Sequence, residues 1–215
     1  MTGELVPELI ALGSATLGES GATILPPRIR PVWQGASLAA PAVPVRCSPG
    51  DNLAIHVAVA EAPPGSALVV DVGEVCDRGY WGEVLTTGAQ ARGLAGLVID
   101  GGVRDIAALE SLQFPVFSSK VVLRGATKRA RGSVGGSATV AGVAVSDGDW
   151  VVGDSDGVVI VPGGDLDEVV AAARARAAKE IAVFDSLRSG ATTVELLGLD
   201  ASLVDVVGGT GKRVG

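Results

Sequence analysis

The sequence predicts a layered α/β fold, and three observations carry that expectation. Short apolar runs alternate with helical patterns through the middle of the chain, in the order helix, strand, helix, strand, helix, strand from Asn52 to Ser118. Glycine is abundant, with 31 residues, while aromatics make up only 3% of a chain that is 47% hydrophobic, so the apolar content is Ala, Val and Leu joined by tight turns. A length of 215 residues suits one domain with one good core.

Each element has its own signal. Residues up to about 45 hold a helical pattern (Leu5, Leu9, Ile10, Leu12) and then a proline-bearing stretch, Pro26, Pro27 and Pro31, which reads as surface and edge structure. Ser48 or Asp51 can cap a helix over Asn52–Glu61, stopped by Pro63-Pro64-Gly65, and a strand follows at Ala67–Val72. A glycine-rich turn spans Gly73–Gly82, a helix Glu83–Gly93, and a buried strand Leu94–Asp100. Gly101-Gly102 reads as a break before a short helix through Arg104, Ile106, Leu109 and Leu112, and extended chain resumes over Pro115–Ser118. The β-branched runs Thr139–Val145, Trp150–Gly153 and Gly157–Pro162, separated by Asp147-Gly148 and Asp156-Gly157, look like hairpins. A last helix, at about 165–188, repeats apolar residues at Val170, Ala173, Ala177, Ile181 and Phe184, and the tail Gly208–Gly215 reads as frayed.

Composition excludes several classes. A formal charge of −7 argues against a partner bound through nucleic-acid phosphates. No apolar stretch reaches the roughly eighteen residues of a bilayer span, and Glu4 and Glu8 replace a basic signal region, so the expected location is cytoplasmic. Cys47 and Cys76, far apart and without nearby histidines, read as two buried thiols rather than as a zinc site or disulfide.

With four lysines, one histidine and two cysteines, chemistry must come mainly from carboxylates, arginines and backbone amides. His56, inside the first predicted helix, reads as structural, since no Gly-x-Ser-x-Gly elbow supports a serine triad. The informative pieces are Gly79-Tyr80-Trp81-Gly82-Glu83-Val84-Leu85 and, twenty residues on, Gly102-Val103-Arg104-Asp105. A glycine turn feeding a helix leaves unpaired N–H groups, so a substrate carboxylate could rest near Val84 and Leu85. Arg104 would add a forked positive charge, and Asp105 a hard oxygen for magnesium or manganese. The same residues also admit a plain reading, with Asp105 capping a helix and Arg104 pairing with a surface carboxylate.

Several ordered blocks carry a resemblance: Asp51-Asn52-Leu53-Ala54-Ile55-His56, Gly79-Tyr80-Trp81-Gly82-Glu83, Ala91-Arg92-Gly93 with Gly96 through Asp105, Phe114-Pro115-Val116-Phe117, and Asp154-Ser155-Asp156-Gly157-Val158. From about residue 10 to residue 200 the chain resembles the 4-hydroxy-4-methyl-2-oxoglutarate aldolase family, which also contains the ribonuclease E activity regulator A proteins. The resemblance implies a layered β/β/α core like the swivelling phosphohistidine domain, and a homotrimer or a hexamer of stacked trimers with sites at subunit boundaries. It also implies roles: backbone amides of Gly82, Glu83, Val84 and Leu85 holding a pyruvate portion, Arg104 contacting substrate, and Asp105 binding a divalent cation. Glu180, from a neighbouring subunit's last helix, would complete the cation's water shell, although Arg176 four residues earlier also makes it a simple helix ion pair. One departure stands out, because active aldolases of the family usually carry aspartate where this chain has Glu83, one methylene or about 1.5 Å longer.

The activity implied is a metal-dependent carbon–carbon lyase on small 2-oxoacids, by retro-aldol cleavage of 4-hydroxy-4-methyl-2-oxoglutarate-like substrates, oxaloacetate decarboxylation, or both, with pyruvate as product. Three competitors are a Schiff-base enzyme using Lys120, a non-catalytic regulator that binds a protein through a trimeric ring, and a methyltransferase. The last lacks any nucleotide-binding glycine fingerprint and is set aside.

Overall fold

The computed structural model describes residues 2–73 and 77–207. Its elements, in chain order, begin with α1 (Thr2–Gly18), β1 (Thr23–Ile24), β2 (Arg30–Pro31), β3 (Leu38–Arg46), α2 (Leu53–Glu61), β4 (Ala67–Asp71) and β5 (Gly79–Trp81). They continue with α3 (Glu83–Ala91), β6 (Gly96–Val103), α4 (Ile106–Ser111), β7 (Val116–Val121), β8 (Ser133–Val134), β9 (Ser137–Val140) and β10 (Val143–Ser146). Last come β11 (Trp150–Gly153), β12 (Val158–Val161), α5 (Leu166–Arg188) and α6 (Thr193–Leu196). The chain divides into a larger unit, Met1–Arg174, and a smaller one, Ala175–Gly215.

Within the larger unit, the expected α/β alternation becomes a curled mixed sheet ordered β1-β12-β11-β3-β4-β6-β7-β2. The stretch β3-β4-β6-β7 is parallel, which requires a crossover between successive strands, and α2, α3 and α4 supply them. Period-2 alternation then sends Leu68, Val70, Leu97 and Ile99 towards Ile55, Ala58, Leu85, Ala89 and Leu109 on the helices. The intervening Val69 and Val98 meet Phe117, Val140, Val145, Val151 and Ile160 on the second, β layer. Both faces of these strands are therefore buried, as their unbroken apolar runs require. A third cluster packs Leu9 and Leu17 of α1, and Val169, Val170 and Ala173 of α5, against Trp150, Val152 and Val159.

Four expectations change on folding. The segment before residue 46 is not all edge structure, because β3 is a nine-residue strand at the sheet's centre. Prolines argue against a central strand, yet Pro41 falls where β11 is the strand partner and Pro44 where β4 is, on opposite sides, so each sits beside a one-sided ladder. The Gly101-Gly102 pair does not break the chain: β6 runs through it to Val103, and Gly102 pairs with Gly79 of β5 on one side and Lys120 of β7 on the other. Thr139–Val145 is itself a hairpin, folded at Ala141 and Gly142 with φ of 54° and 87°, while Asp147-Gly148 leads to a different sheet. The stripe on α5 is buried only at its start, since Ile181 and Phe184 are exposed.

In the smaller unit, Thr192 and Glu195 cap α6 reciprocally. Cys47 is a free buried thiol, pushed up to about 12 by burial; Cys76 and the Gly208–Gly215 tail lie outside the described residues. Among the described residues no helix is long and apolar enough to cross a membrane.

Gly102 shows how tightly the strand ends are packed. A Cβ there would collide with the Arg78 carbonyl and lie 2.7 Å from Val122 Cγ2. We expect Gly102→Ala to destabilise the fold by about 1–3 kcal/mol, the usual range for overpacking. A urea unfolding curve should show a lowered midpoint with an unchanged slope, and an unchanged midpoint would contradict the close approach of these strands.

Candidate active site at the carboxyl end of the parallel strands

Parallel strands ending side by side leave a crevice beyond their carboxyl ends, and the following loops line it. Here β5 delivers Gly82 and the start of α3, while β6 delivers Arg104 and Asp105. The Arg104 amide donates to the Trp81 carbonyl at 2.9 Å, which locks the two strand ends together. Asp105 takes left-handed backbone angles, φ 59° and ψ 38°, which aspartate tolerates at a modest cost.

Although Asp105 occupies the N-cap position of α4, its side chain makes no capping hydrogen bond there. Its Oδ2 instead accepts from the Glu83 amide at 3.0 Å and lies 3.6 Å from Arg104 Nε. The plain capping reading of Asp105 is thereby excluded. Gly82 makes the contact possible, because a Cβ at that position would collide with Asp105 Oδ2.

These groups share a cavity of about 250 Å³, whose wall includes Gly82, Val84, Leu85, Arg104 and Asp105. The Val84 and Leu85 amides lie in the first turn of α3, where no intrahelical acceptor exists for them. A carboxylate placed there would meet the positive end of the helix and the Arg104 guanidinium together.

The rest of the cavity lining was not read as a site from sequence. It contains Asn52, His56, Tyr80 and Lys128. Asn52 and His56 stand four residues apart at the start of α2, so one helix face presents both, a spacing legible in Asp51-Asn52-Leu53-Ala54-Ile55-His56. Burial, with the Lys128 charge adding to it, pushes the His56 pKa below the ordinary histidine value, against a smaller upward pull from Asp51.

Asp51 organises this wall. Its carboxylate accepts from the Leu53 amide at 2.9 Å, the Thr127 hydroxyl at 2.7 Å and the Arg129 amide at 2.5 Å. Burial opposes its ionisation, but these donors and the Ala130 amide prevail and hold its pKa at about 2.

Of the residues expected from sequence, Gly82, Val84, Leu85, Arg104 and Asp105 meet at one cavity. Glu83 contributes its amide, while its exposed side chain is not among the cavity lining. Glu180 belongs to the smaller unit, where its Oε1 lies 3.1 Å from Arg176 Nε, as the helix-pair reading anticipates. Lys120 is also outside the lining and faces Asp77 at 3.4 Å.

A family model described as RraA-like, Aldolase/RraA, matches residues 14–160, more than half of the chain. The chain belongs to the Aldolase/RraA family. A Halalkalibacterium halodurans protein provisionally named as a 4-hydroxy-4-methyl-2-oxoglutarate aldolase is 35% identical over 160 residues, covering 74% of this chain and 76% of that relative. An uncharacterized Pseudomonas syringae pv. tomato protein of known structure matches with a TM-score of 0.79 at 29% identity, over 89% of this chain and 92% of that one. Streptomyces coelicolor RraAS2, described as an unusual member of the RNase ES inhibitor RraA protein family, matches with a TM-score of 0.72 at 27% identity, over 86% and 98%. The layered α/β architecture with its curled sheet is thus the Aldolase/RraA fold.

For a divalent cation, the donor set of this family member is narrow. Among the described residues no group of three or more His, Cys, Asp or Glu side chains gathers. Asp105 Oδ1 has no hydrogen-bond partner among those residues, and one hard carboxylate with water completing the shell fits magnesium or manganese, not zinc.

The Asp51 network has a pH signature. A carboxyl held at about 2 when folded and near 4 when unfolded adds stability above about pH 4 that is lost as pH falls towards 2. Asp51→Asn should therefore lower stability at neutral pH, and its deficit relative to the native chain should shrink between about pH 4 and pH 2 in denaturant titrations. A pH-independent deficit would show that the carboxylate's charge is not what holds the loop.

Proposed function

We propose that this chain is a cytoplasmic, divalent-metal-dependent lyase that cleaves or decarboxylates small 2-oxoacids to give pyruvate. The observation that carries the reading is the convergence of Arg104, Asp105 and the first amides of α3 on one cavity. The provisional aldolase name of the Halalkalibacterium relative supports the same chemistry.

In this reading Asp105 holds magnesium or manganese, with Glu83 and Glu180, the latter from a neighbouring copy, ordering its waters. The cation, when bound, supplies Lewis-acid polarisation of the oxoacid. The Val84 and Leu85 amides fix the substrate carboxylate, so the keto group is presented to Arg104. As the adjacent carbon–carbon bond breaks, its electron pair moves onto the pyruvyl fragment, and the guanidinium stabilises the enolate oxygen. Retro-aldol cleavage also requires loss of a hydroxyl proton, which a water held by Glu83 would accept; decarboxylation needs no such base. A homotrimer or hexamer with the site at its subunit boundary suits the exposed Val84 in the cavity wall and the exposed Leu123, whose carbonyl lies 3.4 Å from Arg104 Nη1.

The likeness to RraAS2 favours a second reading, a non-catalytic regulator that binds a protein partner. Turnover separates the two. With magnesium or manganese, purified protein should release pyruvate from 4-hydroxy-4-methyl-2-oxoglutarate or oxaloacetate, chelation should abolish the release, and re-addition of the cation should restore it. Arg104→Ala should lower kcat/KM by about 10²–10³-fold. A folded protein silent on both substrates would favour the regulator, and an Arg104→Ala variant with native turnover would overturn the mechanism.

A further inference from the structure

The parallel ladder between β6 and β7 changes register just before the candidate site. Leu97, Val98 and Ile99 pair with Val116, Phe117 and Ser118, but Gly102 and Val103 pair with Lys120 and Val121. Asp100 and Gly101 together therefore oppose Ser119 alone, which is a β-bulge. The other neighbour of β6 changes at the same place, from β4, which pairs as far as Ile99, to β5, which begins at Gly102. Past the bulge, β6 is set back by one residue against β7, about 3.3 Å along the strand. Arg104 and Asp105 are the first residues beyond that shifted end.

An ion pair holds the bulge. Asp100 is 7% exposed, and its two oxygens accept from Arg28 Nε at 3.1 Å and Nη2 at 2.7 Å, a forked pair with a fixed direction. Burial opposes ionisation of this carboxyl, but Arg28 and the Ser119 hydroxyl prevail and hold its pKa below the ordinary aspartate value. Arg28 lies in the segment leading into β2, where Arg30 pairs with Ser118, the last β7 residue in the earlier register. The pair thus clamps the bulged strand to a segment that is itself fixed to β7, and neither residue is among the cavity lining.

We propose that Arg28 and Asp100 are positioning residues: their ion pair locks the β6 bulge, and the bulge sets where Arg104 and Asp105 stand relative to the first turn of α3. The kinetic consequence rests on the lyase reading above, whereas the locking does not. Two bonds beyond the bulge transmit the placement, the Arg104 amide to the Trp81 carbonyl at 2.9 Å and the Val122 amide to the Val103 carbonyl at 2.8 Å. When the bulge relaxes, Arg104 shifts against a substrate carboxylate held by the α3 amides, so contacts made in the transition state suffer before binding does.

The Arg28 side chain is half-exposed, so Arg28→Gln releases the pair without emptying the core. In hydrogen exchange followed by mass spectrometry, the Arg104 and Val122 amides should exchange about tenfold faster in this variant. Leu97, whose amide donates to the Pro115 carbonyl before the bulge, should keep its native rate. Faster exchange on both sides of the bulge would mark general loosening, and unchanged exchange would mark a bulge that holds itself; either result overturns the proposal.

Turnover supplies the second readout. Arg28→Gln should lower kcat about tenfold with KM little changed. Added to Arg104→Ala it should cost no more than about twofold further, because a residue that acts through Arg104 then has nothing left to position. Additive losses would overturn the positioning role. Arg28→Lys, which keeps the charge but not the fork, should recover part of both losses, and it shows the same pattern at smaller size should Arg28→Gln fail to fold. A native protein that turns over neither oxoacid removes the lyase reading, and the exchange pattern alone then upholds or overturns the clamp.

Discussion

The contact between the Asp105 carboxylate and the Glu83 amide is the constraint on which the proposed chemistry depends. It joins the end of one parallel strand to the first turn of the helix beyond its neighbour, and glycine at position 82 leaves room for it. The Arg104 amide and the Trp81 carbonyl already join the two strand ends, and this contact extends the join to the first turn of α3. With it, positive charge, helix dipole and a hard carboxylate are fixed around one cavity before any ligand arrives, which reduces the cost of ordering them on binding.

Stability and function are arranged differently on the two walls of that cavity. The Arg104–Asp105 side is half-exposed and follows strands buried on both faces, so its backbone is rigid while its side chains stay accessible. The part of the lining from α2 and the loop after β7 depends on Asp51, a buried carboxylate that ties that loop to the start of α2 and sets Lys128 near His56. A loop would otherwise be the most mobile part of the site. Its anchoring by amides and a hydroxyl makes it part of the scaffold.

The long tail of apolar exposure follows a different logic. Ile181, Phe184, Leu203 and Val206 are exposed in the isolated chain, in a smaller unit that buries little of its own surface. The α5 stripe was legible as a periodic pattern, but periodicity reports only that one face is apolar, not what covers it.

Much of the fold was written locally. The helices α2 and α3, the strands β4 and β6, and the glycine-flanked Arg104-Asp105 pair follow from periodicity, caps and turns within short windows, and the family blocks pointed to Gly82, Val84, Leu85, Arg104 and Asp105, which line one cavity. Non-local pairing decided the rest. Only the sheet shows that β3, with its two prolines, is central, and that Gly101-Gly102 continues a strand because β5 and β7 close on either side. Likewise, nothing within a few residues of His56 signals Lys128, 72 positions away, and the two meet because Asp51 gathers the loop between them. Short-range sequence determines which way a segment bends and which face is apolar; contacts between distant segments arise only when the whole core closes, and those contacts built the second wall.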